Sequence, residues 1–286
     1  MNYRHAFHAG NFADVLKHAL LARVLTYMVA KPAPLRFVDT HAGLGVYDLG
    51  CDEATRTGEW RDGIARVAAA AAAGEVPPGL AEVLAPYLGA VGPAGADGLW
   101  RSYPGSPAVA QWVLRPEDRL TLCELHPEDA AALKRETAGD RRVRVVASDG
   151  YVALNAALPP PERRGLVLID PPFEKVDEFD RLLAALLRAH AKWPTGSYMA
   201  WYPLKNRAAV GRFAAGLAGS GMKLVLQVHL LVGDPDAGPL AGSGLAFVNP
   251  PYTLKGEAEQ LLPWLADVLG RPGQPTEWTV RWLAGE

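Results

Sequence analysis

Short runs of branched aliphatic residues alternate with helical segments along much of this chain. The runs LRFV, RLTLCEL, RVRVVA and GLVLI have the length and composition of strands that are buried on both faces. Helical patterns such as PEDAAALKRETAG and residues 176–193 follow them. This alternation predicts an α/β fold with a mostly parallel sheet that helices cover on both faces.

Two parts of the chain depart from that alternation. Residues from about 50 to 105 contain six consecutive alanines, Ala68 to Ala73, and the breaks GEVPPG and GPAGADG, which favours a small helical insertion in a single domain spanning 1–286. Near the end, MKLVLQVHLLV and GLAFVNP flank a loop rich in Gly and Pro and predict an antiparallel pair. The closing run EWTVRWL alternates Trp278, Val280 and Trp282, as a half-buried strand does.

The N-terminal part predicts a helix from Asn11 to Met28. Asn11 is a favourable N-cap, and Asp14 lies near the positive end of the helix dipole. One face is apolar and contains Phe12, Leu16, Ala19, Leu20 and Val24. Lys17 lies at the flank of this face and His18 outside it, so a solvated position for both side chains stays open.

Composition excludes several classes of protein. Hydrophobic residues make up 49% and charged residues 21%, as in globular domains, and the apolar runs are too short to span a membrane. The first residues contain no apolar signal core, so we expect a cytoplasmic protein. Cys51 and Cys123 form no CxxC pair and should be reduced, with Cys123 in a strand. No acid or cysteine near the histidines of HAFH completes a set of metal ligands, so no metal site is expected.

The net charge is −2, whereas proteins that grip long duplexes by their phosphates usually have a strongly basic surface. Contacts with nucleic acid would therefore depend on local clusters. The candidates are Tyr3, Arg4 and His5; Arg135 with Arg141, Arg142 and Arg144; and Arg163 with Arg164. Each cluster is also compatible with an ordinary solvated surface. The helices show no surplus apolar face, which favours a monomer.

Four predicted strands end in acidic residues. The first is followed by the loop DTHAGLG, and the others lead into Glu124, Asp149 and Asp170. Because ligands of parallel α/β sheets bind at the carboxyl ends of the strands, we expect these groups to lie close together.

These strand ends suit an adenosine-containing cofactor. Gly43 and Gly45 let the backbone approach a ligand closely, although a tight turn explains them equally well. Glu124 is placed to accept hydrogen bonds from ribose hydroxyls, and Asp149, followed by Gly150, to accept one from the amino group of adenine. The chain has no lysine-bearing phosphate loop, which argues against triphosphate chemistry.

The motif DPPF, Asp170 to Phe173, suits an aromatic amine as substrate. The lone pair of such an amine is delocalised, and two acceptors aimed at its hydrogens favour the tetrahedral, nucleophilic form. The Asp170 carboxylate and the Pro171 carbonyl can be these acceptors, and the two prolines hold them rigidly in place. Phe173 offers a face for a flipped-out base, and such stacking contributes about 1–3 kcal/mol per base. The idea requires Asp170 on the same sheet edge as Gly43 and Glu124.

A second copy of the motif, NPPY, spans Asn249 to Tyr252. By its letters it is an equal candidate for the site. Its strand belongs to the predicted antiparallel pair, so its end should point away from the cofactor edge. We therefore interpret it as a turn into the last helix.

The combination of motifs is similar to that of a known family. The segments YRHAFHAGNFADVLKH, VDTHAGLGVYDL, RTGEWRDGIARV, YPGSP, ELHP and LIDPPFE, spread over the whole chain, resemble the bacterial RlmJ family. That family methylates N6 of adenine 2030 in 23S ribosomal RNA with S-adenosylmethionine. The resemblance implies a Rossmann-like class I methyltransferase fold with an inserted helical subdomain. Phe173 stands where enteric members have tyrosine, which keeps the stacking face.

The resemblance also implies residue roles. Tyr3 would touch the RNA, and Asp170 would be the catalytic residue. The S-adenosylmethionine site would be lined by Lys17, His18, His41, Ser106, Glu124, Asp149 and Gly150. Considered without the resemblance, Ser106 is equally an N-cap for the next helix, and Lys17 and His18 are equally surface residues.

The first hypothesis is therefore an adenine-N6 methyltransferase that acts on naked or nascent 23S RNA. A second hypothesis keeps the chemistry but takes DNA adenine or a protein glutamine amide as acceptor, since a planar amide poses the same lone-pair problem. A third is a non-catalytic protein that handles nucleic acid. The intact DPPF motif argues against the third.

Overall fold

The structure, a computed structural model, describes residues 4–95, 100–234 and 240–285. The α-helices in these ranges are α1 (Phe12–Val29), α2 (Asp52–Thr57), α3 (Ile64–Ala72), α4 (Pro78–Val91), α5 (Ser106–Val113), α6 (Pro127–Glu136), α7 (Gly150–Ala157), α8 (Glu178–Lys192), α9 (Arg207–Ala218) and α10 (Leu254–Leu269). The strands are β1 (Arg36–Asp39), β2 (Val46–Asp48), β3 (Ser102–Pro104), β4 (Arg119–Glu124), β5 (Val143–Ala147), β6 (Gly165–Ile169), β7 (Ser197–Pro203), β8 (Val225–Leu231), β9 (Gly242–Val248) and β10 (Glu277–Ala284).

The main sheet has the order β10-β8-β9-β7-β6-β1-β4-β5. The strands from β7 to β5 in this order pair in parallel. β9 lies antiparallel between β7 and β8, and β10 is antiparallel to β8. The predicted α/β fold with a mostly parallel sheet is confirmed, and β10 adds a second reversed strand that the sequence pattern did not indicate.

The expected alternation in β10 is wrong. Trp278 and Trp282 keep 43% and 37% of their surface exposed, and Val280 is half-buried. β10 is an edge strand that, among the described strands, pairs with β8 alone, so its side chains have fewer neighbours to cover them.

Helices cover both faces of the sheet and shield its central strands from solvent. Every residue of β6 is buried. Leu166 and Leu168 belong to the core cluster beneath α1, α4 and α10, whereas Val167 and Ile169 belong to the cluster beneath α8 and α9. Continuous aliphatic runs are therefore required, because both faces of these strands are apolar contacts.

Helix α1 is the central helix on its face. The predicted N-cap is confirmed, since the Asn11 side chain accepts hydrogen bonds from the amides of Ala13 and Asp14. The predicted one-sided apolar face is wrong. Lys17 and His18 are buried, because α1 packs against α4, α5 and α10 as well as the sheet. The solvated interpretation of both side chains is thereby excluded.

The segment between β1 and α5 leaves the sheet and returns to it. It contains α2, α3, α4 and the two-stranded sheet formed by β2 and β3. Its two ends meet where the Gly105 amide donates to the Gly45 carbonyl at 2.8 Å. The inserted helices are therefore attached directly to the glycine loop. Among the helices of the described residues, none is both long and apolar enough to cross a membrane.

Candidate active site

The carboxyl ends of the parallel strands surround a cavity of about 460 Å³, within the range typical of small-molecule sites. Every predicted site residue in the described ranges lines it. They are Lys17, His18, His41, Gly43, Ser106, Glu124, Asp149, Gly150, Asp170, Pro171 and Phe173. Tyr3, the predicted RNA contact, lies outside the described residues. The sheet therefore brings together groups that are separated by up to 156 positions in the chain.

The glycine loop after β1 is held close to the end of β4. Gly43 has a φ of +60°, and a Cβ there would lie 2.1 Å from the hydroxyl of Tyr47. The position therefore requires glycine on both conformational and steric grounds. The Gly43 amide donates to Oε2 of Glu124 at 2.9 Å.

Glu124 faces the cavity with a carboxylate that is only partly engaged. Oε1 accepts from the His126 amide at 2.8 Å, and Oε2 accepts from Gly43. An ionised carboxylate offers about four acceptor sites, so two remain for hydroxyl groups of a ligand. Burial raises the pKa of Glu124, and hydrogen bonds from the backbone, foremost from the His126 and Gly43 amides, oppose that shift.

Asp149 caps helix α7, an element that the sequence pattern did not reveal. Its Oδ1 accepts from the amides of Tyr151 and Val152. A Cβ on the next residue, Gly150, would lie 2.0 Å from the carbonyl oxygen of Thr40. Only glycine allows α7 to begin so close to the β1 loop, which keeps Asp149 within the cavity.

Tyr151, Glu178 and Arg181, which the sequence pattern did not single out, line the cavity next to Asp149. The Arg181 guanidinium lies over the Tyr151 ring, 4.8 Å from its centroid, and 3.7 Å from Oδ2 of Asp149. Arg181 also pairs with Glu178 at 3.2 Å, and the Tyr151 hydroxyl donates to the same carboxylate at 2.8 Å. Arg181 and Glu178 lie on α8, so their proximity to Asp149 depends on tertiary packing.

Ser106 is linked to the buried acid at the end of β1. Its hydroxyl donates to Oδ2 of Asp39 at 2.6 Å. Burial raises the pKa of Asp39 to about 7, although Ser106 and the His41 amide lower it. The interpretation of Ser106 as an N-cap is wrong, because Gly105 is the N-cap of α5 and Ser106 is its first residue.

Two of the histidines that line the cavity, His18 and His41, are uncharged at neutral pH. Burial lowers the pKa of His41 to about 4 and that of His18 to about 3. Nδ1 of His41 lies 2.7 Å from the Thr40 hydroxyl, and Nδ1 of His18 lies 2.9 Å from the Tyr103 hydroxyl. They contribute polar, neutral rings to the cavity wall.

Asp170 meets a buried lysine. Nζ of Lys17 lies 2.6 Å from Oδ2 of Asp170 and 2.8 Å from Oδ1 of Asp14. Oδ2 of Asp14 also lies 2.9 Å from Nε2 of His5 and accepts a hydrogen bond from the Gly10 amide at 3.0 Å. Burial alone would lower the pKa of Lys17, but Asp14 and Asp170 raise it above its usual value. Lys17 is therefore a permanent cation beside Asp170, in a chain of charges that the sequence did not reveal.

Phe173 forms the aromatic side of the same turn. It adopts a positive φ of 51°, unusual for a residue with a side chain. Its ring contacts Phe179 edge-on at 4.8 Å and Trp201 at 5.8 Å between centroids. Trp201 also lines the cavity, so two aromatic residues stand next to Asp170 and Pro171.

The competing NPPY turn lies on the side of the sheet opposite the cavity, where the parallel strands begin. Val248 at the end of β9 pairs with Tyr198 near the start of β7. Asn249 therefore follows a strand that ends where the parallel strands begin. The rejection of this copy on topology is confirmed.

Two of the basic clusters also belong to that opposite edge. Arg141 and Arg142 precede β5, and Arg163 and Arg164 precede β6. Arg142 pairs with Asp140 at 2.7 Å, and Arg164 donates to the carbonyl of Ala33. These arginines lie far from the cavity in the direction of the strands.

The histidines of HAFH contact acids elsewhere in the chain. His5 contacts Asp14, and Nδ1 of His8 lies 3.0 Å from Oε1 of Glu59. Throughout the described ranges, no three His, Cys, Asp or Glu side chains are arranged to hold a metal ion.

Comparisons with known proteins agree over the whole chain. A family model described as "RsmJ: Ribosomal RNA large subunit methyltransferase D, RlmJ" matches residues 32–284. Two relatives described as "Ribosomal RNA large subunit methyltransferase J", from Escherichia coli K12 and Haemophilus influenzae Rd, are 39% and 38% identical, and each match covers 100% of both chains. A crystal structure of protein LPL1258 from Legionella pneumophila Philadelphia 1 has a TM-score of 0.86 and 35% identity, covering 96% of this chain and 98% of that one.

Proposed function

This chain belongs to the RlmJ family of ribosomal RNA large subunit methyltransferases, and we propose that it transfers a methyl group from S-adenosylmethionine to N6 of an adenine in 23S ribosomal RNA. The resemblance of its motifs implies adenine 2030 as the position. The observation that carries the proposal is the presence of Asp170, Pro171 and Phe173 in the cavity that also contains Gly43 and Glu124.

The cavity fits the cofactor. Glu124 keeps two acceptor sites for ribose hydroxyls, and the Asp149 carboxylate stands beside Gly150 for the adenine amine. His18 and His41 are neutral, so they do not repel a sulfonium cation. When bound, S-adenosylmethionine supplies an electrophilic methyl group on that sulfonium.

The turn after β6 prepares the acceptor amine. Lys17 occupies Oδ2 of Asp170, whereas Oδ1 makes no hydrogen bond within the described part of the chain. Oδ1 and the Pro171 carbonyl can then accept the two amine hydrogens, which favours the nucleophilic form of the nitrogen. The adenine must leave its stack to reach them, at a cost of a few kcal/mol. Stacking on Phe173 offsets about 1–3 kcal/mol of that cost.

Asp170 need not act as a strong base. The amine becomes an acidic ammonium group as the new bond forms, and it loses a proton late, to Asp170 or to water. Lys17 holds the Asp170 carboxylate at one orientation in the meantime. The acceptors are fixed before the substrate arrives, which is the main contribution of a preorganised polar site.

The proposed substrate is naked or nascent 23S RNA in the cytoplasm, and the proposed enzyme is a monomer. A net charge of −2 gives the protein no general affinity for duplex RNA. A short, locally opened RNA element is therefore the form of substrate that the chain is suited to bind.

The test is methyl transfer to defined acceptors. Purified protein and methyl-labelled S-adenosylmethionine are incubated side by side with unmodified 23S RNA, total DNA and total protein, and the RNA product is mapped by mass spectrometry. We expect label in 23S RNA alone, as N6-methyladenine at one position. The same position should lack the modification in RNA from a strain without the gene. Label in DNA or protein instead, or on another atom of the RNA base, contradicts the proposal.

A further inference from the structure

Two exposed lysines stand in adjacent loops at the rim of the cavity. Lys175 lies in the loop between β6 and α8, and Lys205 in the loop between β7 and α9. β6 and β7 pair in parallel, so these loops leave the same edge of the sheet side by side. Both lysines line the cavity together with Asp170.

These lysines differ from the other lysine and arginine residues that line the cavity. Lys17 and Arg181 are buried or half-buried, and each is paired with carboxylates. The side chains of Lys175 and Lys205 make no hydrogen bond or ion pair with any part of the chain that the structure describes. Exposed cations that the fold does not neutralise are available to a ligand.

The surrounding charge favours an anion on the β7 side of the rim. Arg207, the first residue of α9, is exposed two positions after Lys205, and the segment from 203 to 208 contains no acid. Asn206 caps α9, whose positive dipole end adds to this charge. On the β6 side, Glu174 and Asp177 flank Lys175, so the excess positive charge is local and modest.

A flipped-out base brings its own phosphates to this rim. The base would lie on Phe173 inside the cavity, and the flanking sugar-phosphate backbone would remain at the mouth. Proteins that bind single strands combine aromatic stacking with a line of cations that follows the backbone. The two arginine clusters lie where the parallel β-strands begin, whereas the site lies where these β-strands end. The arginines therefore cannot reach the RNA backbone at the cavity mouth.

We infer that Lys175 and Lys205 hold the phosphates on either side of the target nucleotide, so that the RNA strand crosses the loops after β6 and β7. This inference rests on the proposed RNA methyltransferase activity and adds the path of the substrate. It assigns a role to residues that touch the backbone of the substrate rather than the reacting atoms.

The double variant Lys175→Gln/Lys205→Gln tests the inference through its salt dependence. The KM for RNA should rise on the order of tenfold, while turnover at saturating RNA and the affinity for S-adenosylmethionine stay unchanged. Each lost contact to a single-stranded phosphate should reduce the slope of log affinity against log salt by about 0.7, thus by about 1.4 for the pair. The Lys175→Arg/Lys205→Arg variant should restore the wild-type slope.

A matched control is Arg141→Gln/Arg144→Gln, which removes the same charge from exposed arginines at the start of β5. Its salt slope should equal that of the wild type. An unchanged slope in the lysine variant, or an equal loss in both variants, overturns the inference while wild-type activity upholds the proposed function. Failure of the wild-type protein to methylate 23S RNA overturns the proposed function itself.

Discussion

Two turns with nearly the same letters occupy opposite edges of one sheet. DPPF, Asp170–Phe173, follows β6, and NPPY, Asn249–Tyr252, follows β9. Both strands are buried along their whole length. β6 runs parallel to its neighbours, whereas β9 runs antiparallel to β7. Strand direction alone therefore decides which turn faces the cavity.

The surroundings of the two turns differ accordingly. Asp170 shares a cavity with Glu124 and pairs with Lys17, and its carboxylate faces a ligand site. The Asn249 side chain instead donates to the carbonyls of Pro194 and Gly196, both at 2.8 Å, and closes the sheet edge. A sequence motif has a chemical role only where the topology supplies its partners.

The largest expected difference between the turns concerns turnover. Asp170→Ala removes the acceptor that orients the amine, and because water can take the late proton, methyl transfer should fall by about 10²- to 10³-fold. Asn249→Ala, assayed at a temperature where it is folded, should keep wild-type turnover. Single-turnover methylation of 23S RNA measures both rates.

Calorimetric titration with S-adenosylmethionine is the control for this comparison. Asp170→Ala should bind the cofactor, because Glu124, Gly43 and Asp149 are unchanged. Methyl transfer at the wild-type rate in Asp170→Ala would remove the proposed role of DPPF, and an equal loss in Asn249→Ala would erase the distinction between the turns.

Much of the site follows from the sequence because it depends on strand direction and local chemistry. Asn11 caps α1 through its neighbouring amides, and Asp39, Glu124 and Asp170 lie at the ends of strands whose parallel arrangement brings these ends together. Such features need only short-range patterns and one rule about parallel sheets. The antiparallel pairing of β9 could also be predicted from short-range patterns, namely two strand-like runs joined by a loop.

Other parts depend on packing that no local pattern contains. The charge chain from Asp14 through Lys17 to Asp170 joins residues 153 positions apart at 2.6 Å. Lys17 is buried on a helix that packs against α4, α5 and α10, and its amine contacts Asp14 and Asp170. Arg181 reaches Asp149 from α8, and its position in an otherwise amphipathic helix gave no signal of that contact.

Asp39 should make a separable contribution to the pH dependence of stability. Burial raises the pKa of Asp39 to about 7 from an ordinary 3.8, so the native state retains a proton that the unfolded chain loses. Between about pH 4 and pH 7 this carboxyl binds more protons in the native state, so its contribution to the free energy of unfolding falls as pH rises, by at most about 4 kcal/mol. The lowered pKa values of His18 and His41 contribute with the opposite sign.

Asp39→Asn isolates this contribution, because the amide stays neutral at every pH. Urea unfolding at several pH values should show that the wild type loses stability relative to Asp39→Asn across that window. Asn249→Ala, at the opposite edge, should retain the wild-type pH dependence. A constant difference between wild type and Asp39→Asn from pH 4 to 7 is the result that contradicts the assignment.

The NPPY turn, for which no effect on turnover is expected, should instead matter for stability at a fixed pH. Asn249 has a φ of 51° and donates two hydrogen bonds to backbone carbonyls. Asn249→Ala loses both bonds and strains the left-handed backbone, so the free energy of unfolding should fall by about 3 kcal/mol. Asn249→Gly keeps the backbone relaxed and should lose only about 2 kcal/mol. Equal losses in the two variants in urea unfolding would show that the backbone conformation contributes nothing.

The smallest expected difference concerns the aromatic residues that end the turns. Phe173 lines the cavity, whereas Tyr252 is 82% exposed and contacts Tyr27 edge-on at 5.8 Å. Phe173→Ala should lose about 2 kcal/mol of base stacking, so kcat/KM for RNA should fall roughly 30-fold with cofactor affinity unchanged. Tyr252→Ala should leave kcat/KM at the wild-type value. Phe173→Tyr should remain active, because stacking needs the ring and not its substituent. If Phe173→Ala methylates RNA as well as Tyr252→Ala does, the target base does not stack on this ring, and Trp201 becomes the aromatic surface to test next.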